Sequence, residues 1–167
     1  MSKPDDPWAE AAERLGLSHR RGGMMKEARL EGTIDGVPIR VVTRSDATPD
    51  ADQGPTTEYS VGFEDAGLGL SAKRLGRMGR LLGRRRIETG DKTFDAAVAA
   101  GGGDPGRIRA HLTAPRRAAI LELFERYPGA KITDDRIRFV SLLGIDAGDR
   151  LEGTVRDLVR YARTLWT

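Results

Sequence analysis

The pair Asp35-Gly36 constrains this chain more than any other feature. Leu30 and Ile34 lead into it and Val37, Ile39 and Val41 lead away, alternating with other residues as strands with one buried face do. Asp-Gly is a favoured pair for the two-residue type I′ turn, whose positive φ angles suit the twist of antiparallel strands. Residues 27–43 therefore predict a β-hairpin.

Other segments carry signals of the same kind. Residues 7–16 suit a short helix: Pro7 fits a first turn, Trp8, Ala11, Ala12 and Leu15 share a side, and Gly16 ends it. A basic, glycine-containing loop follows over 18–23 and holds His19, read as a solvated side chain. Residues 45–57, rich in Pro, Asp, Thr and Gly, predict a mobile surface loop. Tyr59, Val61 and Phe63 alternate as a strand, with 68–71 as the expected partner. Asp104-Pro105 starts a helix that turns Ile108 and Leu112 inward. Thr113-Ala114-Pro115 caps another, with Ile120, Leu121, Leu123, Phe124 and Tyr127 toward the core and Pro128-Gly129 as its stop. His111, where these helices join, reads as a packed or solvated side chain. A second hairpin is predicted over 131–140. Asp149 and Glu152 resemble a capping box, and Leu151, Val155, Leu158, Val159, Ala162, Leu165 and Trp166 then keep helical spacing.

These elements predict an α+β fold: an antiparallel sheet with hairpins, a helical pair in the second half and an amphipathic helix near the C-terminus. At 167 residues a single domain over 1–167 is expected, with a helix and basic loop over 1–22, the loop over 45–57 and a basic connector over 73–86.

Residues 86–98, Arg-Ile-Glu-Thr-Gly-Asp-Lys-Thr-Phe-Asp-Ala-Ala-Val, read as strand on both sides of a Gly90-Asp91 turn, because Phe94, Ala96 and Val98 alternate with Asp95 and Ala97. Asp91 is then a turn residue and Asp95 an outward strand residue; the sharper alternative makes them a carboxylate pair for acid/base or metal chemistry. The run Thr89-Gly90-Asp91-x-x-Phe94-Asp95, followed by Gly103-Asp104-Pro105 and Leu112-Thr113-x-Pro115-Arg116-Arg117, resembles a group of uncharacterised bacterial domains with a GDxxFD strand and an LTP helix start. The likeness covers residues 86–127, with weaker agreement at Gly32-x-x-x-Gly36. That resemblance implies a fold and no activity.

Composition removes several kinds of chemistry. Without cysteine there is no disulfide, thiolate zinc site or cysteine nucleophile. Gly101-x-Gly103-x-x-Gly106 has dinucleotide-fingerprint spacing, but Asp104 puts a carboxylate where a pyrophosphate would sit, so a glycine-rich strand-to-helix turn is the better account. No GxxxxGK[ST], HExxH or GxSxG pattern occurs. The sequence therefore singles out no catalytic residue, cofactor or metal ligand. The acidic opening Lys3-Pro4-Asp5-Asp6-Pro7 is unlike a signal peptide and no apolar run is long enough to span a membrane, so a cytoplasmic location is expected.

What remains is a charge asymmetry. The net charge is +3, yet Lys73, Arg74, Arg77, Arg80, Arg84, Arg85 and Arg86 stand together without an acidic residue, and the rest of the chain nets −4. On a helix Lys73, Arg77, Arg80 and Arg84 would share one face and Leu75, Met78 and Leu82 the opposite one, but Gly76, Gly79 and Gly83 would cost about 3 kcal/mol in helix propensity, so no stable free helix is expected. The functional expectation is a non-catalytic interaction or adaptor domain whose residues 73–86 meet an acidic protein surface. Nucleic acid and an anionic membrane are the other anionic partners considered. The segment has no aromatic residue on which a base could stack and no Trp or Phe as an anchor. The alternative of another class is a small metal-dependent or hydrolytic enzyme using Asp91 and Asp95.

Overall fold

The computed structural model describes residues 6–23, 27–44, 54–76, 86–142 and 145–166. They form an antiparallel α+β fold whose chain divides into two compact units, one of residues 1–62 and 140–160, the other of 63–139 and 161–167.

The first unit opens with α1 (Pro7–Leu15). Asp6 caps it by accepting from the Trp8 amide at 3.1 Å, and Gly16 ends it in the left-handed conformation at φ 68°. Trp8, Ala11, Ala12 and Leu15 are buried, as their spacing predicts. The expected loop at 18–23 instead begins with a strand, β1 (Ser18–Arg20). Three residues with a basic, exposed end are too few to show an alternation. They become strand because β2 (Arg29–Ile34) presents its backbone edge, on which Ser18, His19 and Arg20 pair with Glu31, Leu30 and Arg29. Side-chain burial also differs from expectation at His19, which is only 14% exposed.

The predicted hairpin joins β2 to β3 (Val37–Arg44). Asp35 and Gly36 take φ angles of 50° and 78°, both positive as a type I′ turn requires. β4 (Thr56–Gly62) completes a meander in the order β1-β2-β3-β4, with Leu30, Val41 and Tyr59 aligned across its buried face. A Cβ on Gly32 would stand 2.8 Å from Leu17 Cδ2, so Leu17 packs into the space that glycine leaves. The loop expected over 45–57 falls largely on residues 45–53, outside the described residues.

In the second unit the strands β5 (Ser71–Arg74), β6 (Val98–Gly101), β7 (Lys131–Thr133) and β8 (Arg136–Ser141) lie in the order β8-β7-β5-β6, all antiparallel. The two units divide the residues of β8 between them. The strand expected at 68–71 starts only at Ser71 because Gly67 and Gly69 are left-handed, with φ 61° and 64°. Leu68 and Leu70 are buried from an irregular loop, held where the amides of Gly69 and Leu70 donate to the Asp134 carboxylate. Its ladder partners are β6 and β7.

The strand expected across 92–98 is a helix, α2 (Lys92–Ala97). Asp91 accepts from the amides of Thr93 and Phe94, both at 3.1 Å, and this cap sets the backbone turning before any alternation can act. The period-2 pattern is real only from Val98, where β6 begins. α3 (Pro105–His111) is capped by Asp104, which accepts from the Arg107 amide at 2.7 Å. Thr113 heads α4 (Ala114–Arg126) without a side-chain cap bond; one of the two amides such a cap would reach belongs to Pro115, which has no N–H. The glycine motif between β6 and α3 is a close backbone crossing: the Gly103 amide donates to Leu68 O at 3.0 Å, and a Cβ on Gly102 would lie 2.6 Å from Gly69 O. It is the strand-to-helix turn expected from Asp104.

The last helix, α5 (Gly148–Trp166), gives its residues up to Arg160 to the first unit and the rest to the second. Leu151, Val155, Leu158 and Val159 are buried, as are Ala162 and Leu165. Asp149 and Glu152 lie inside it, where a capping box cannot form, and Glu152 instead accepts from Arg14 and Arg156 at 2.7 and 2.8 Å. No helix among the described residues is long and apolar enough to cross a membrane.

Candidate functional site: a cationic sheet face

The alternation of β5 decides which face its charges occupy. Ala72 is buried opposite Ala100 and Ile132, so Ser71 and Lys73 point the other way, into solvent. Lys73 is directly opposite Lys131 on β7, and Lys131 directly opposite Arg138 on β8. Opposite residues of an antiparallel pair share a face with Cβ atoms about 4.5–5.5 Å apart. Lys73 and Lys131 thus stand side by side on one exposed face, with Arg138 next in line, and their strand neighbours on that face, Ser71 and Thr133, are neutral. Arg136 points the same way as Arg138, but Asp135 holds its guanidinium at 2.6 Å. Like charges placed opposite one another lower sheet stability, and a bound anion would relieve that repulsion.

Of the seven cations singled out in the sequence, Lys73 and Arg74 are exposed strand residues and form no ion pair among the described residues. Arg86 donates to the backbone carbonyl of Asp95 at 3.1 Å and forms no ion pair among the described residues. Arg77, Arg80, Arg84 and Arg85 lie outside the described residues. Lys131 and Arg138 were not singled out. Their alternation within the second hairpin was legible, but their alignment with Lys73 depends on a strand pairing that spans 58 positions of sequence.

The outer face of the first unit provides a contrast. There Arg29 and Arg40 stand 3.3 and 3.4 Å from Glu31, and Arg44 stands 2.6 Å from Glu58. These three arginines are matched within the unit, whereas the exposed Arg20, opposite Arg29, forms no ion pair among the described residues.

Asp91 and Asp95 do not meet as an open pair. Asp91 Oδ1 accepts from two amides and Oδ2 from Arg117 Nε at 3.0 Å; the Phe94 amide, and then Arg117, hold its carboxyl below the usual range. Asp95 accepts from the Thr89 amide and hydroxyl and the Gly90 amide, between 2.8 and 3.1 Å. Both act as caps. Among the described residues no group of three or more His, Cys, Asp or Glu is placed to hold a metal ion. His111 is packed, its ring 5.6 Å from that of Trp166, and burial followed by the charge of Arg116 pushes its pKa down. No family model, curated protein or solved structure matches the chain.

Proposed function

We propose that this protein is a non-catalytic interaction module that holds an acidic protein segment against the exposed face of β5, β7 and β8. The observation that carries the reading is the register of Lys73 with Lys131, which places two exposed cations side by side with no carboxylate between them. Arg74 and Arg86 add charge in the same unit. The face has no aromatic side chain on which a base could stack, which favours carboxylates over nucleic acid.

Fluorescence anisotropy of labelled poly-L-glutamate tests this, with single-stranded DNA of equal charge as the competing ligand. Polyglutamate should bind at low salt, and the Lys73→Glu, Lys131→Glu double variant should weaken it at least about tenfold, the effect of losing two charge contacts. Equal binding by the double variant overturns the reading. Preferential binding of DNA by the wild type would replace the acidic partner with nucleic acid.

A further inference from the structure

The exposed face of β5 carries a hydroxyl beside its lysine. Ser71 and Lys73 point the same way, and the register sets Ser71 opposite Thr133 just as Lys73 stands opposite Lys131. Side chains that face one another across strands begin about 4.5–5.5 Å apart, and those two residues along a strand begin about 6.5 Å apart. Four side chains therefore mark the corners of a small square, with two ammoniums along one side and two hydroxyls along the other.

The corners are not equivalent. Thr133 Oγ1 already donates to Asp135 Oδ1 at 2.9 Å, and that carboxylate is in turn held by Arg136 at 2.6 Å. Among the described residues the Ser71 hydroxyl has no hydrogen bond, and Lys73 and Lys131 have no ion pair. On the next strand, β6, the same face offers only Ala99, opposite Lys73, and Gly101, opposite Ser71. Three donors without partners thus border a strip of backbone that bears nothing longer than a methyl group.

A phosphate monoester matches this set more fully than a carboxylate does. At neutral pH it carries a charge between about −1.5 and −2 and three acceptor oxygens. Each oxygen can take one donor, from Lys73, Lys131 and Ser71, and the flexible four-carbon stems of the lysines let both ammoniums lean to one point. A carboxylate has one charge and two oxygens, so it leaves one lysine uncompensated beside the other. The phosphodiester of a nucleic acid likewise has a single charge and two free oxygens.

We infer that the acidic segment is a phosphopeptide, its phosphoserine or phosphothreonine seated between Lys73 and Lys131 with the Ser71 hydroxyl as third donor and its chain laid over Ala99 and Gly101. This rests on the reading of the cationic face as an interaction surface. Fluorescence anisotropy of a short labelled glutamate–glycine peptide with a central phosphoserine, against the same peptide with glutamate at that place, tests it. The phosphopeptide should bind about tenfold more tightly at low salt. Ser71→Ala, a substitution at an exposed position, should reduce that preference to about threefold, the loss of one hydrogen bond. Equal affinity of the two peptides, or a preference untouched by Ser71→Ala, overturns the inference and leaves the acidic partner standing. Binding of neither peptide overturns both.

Discussion

The hydroxyl of Tyr59 donates to Asp146 Oδ2 across 2.8 Å, linking β4 to the segment that leads into α5. Tyr59 is fully buried and Asp146 is 4% exposed, so neither group has water as an alternative. Burial first, and the Asp146 carboxylate second, push the phenol well above its ordinary pKa of 10. Tyr59→Phe should lower stability by about 1–3 kcal/mol in urea denaturation at neutral pH, because the carboxylate loses a buried donor.

The same shift sets an alkaline limit. Above pH 10 the unfolded chain releases the Tyr59 proton while the folded protein keeps it, so the stabilisation is complete below pH 10 and is lost as pH rises beyond it. Denaturation midpoints between pH 9 and 11 should fall less steeply for Tyr59→Phe than for the wild type.

Asp135 should titrate at about 2, held down chiefly by its hydrogen bond from Arg136. Its share of stability is present above the ordinary carboxylate value of 3.8 and disappears as pH falls toward 2. Carbon NMR of the carboxyl group should show the midpoint rising toward 3.8 in Arg136→Gln. The pair is exposed, so that substitution should cost less than about 1 kcal/mol near neutrality.

Lys131→Glu separates stability from binding. It places a carboxylate opposite Lys73, turning that like-charge contact into an opposite-charge one. Stability at low salt should rise by about 0.2–1 kcal/mol, with the gain shrinking as salt is added, while polyglutamate binding weakens. A destabilised Lys131→Glu protein would show that the pair is already compensated.

Gly102→Ala should be among the most damaging small substitutions, at about 1–3 kcal/mol, since the new methyl meets a backbone oxygen that cannot move aside. Gly129→Ala, with nothing within 4 Å of the added atom, is the matched control for chemical denaturation.

How much of this was readable beforehand depends on the range of each signal. The Asp35-Gly36 hairpin, α1, the helical pair and α5 rest on caps, turns and periodicities within a few residues, and all were legible. α2 was not: at six residues it is too short to show helical periodicity, and Phe94, Ala96 and Val98 mimic a strand. The Asp91 cap was the missed sign. The placement of β5 between β6 and β7 joins segments far apart in sequence, and the alignment of Lys73 with Lys131 follows only from it. His19 was read as solvated because nothing local reveals that β2 would take up its backbone or that Asp6 would face it.

α5 supplies residues to both units, Leu151 and Leu158 to one and Tyr161 and Leu165 to the other. During synthesis neither core can close until that helix has left the ribosome. The hairpins made earlier must wait with their apolar faces bare, a state in which unpaired strand edges favour misassembly.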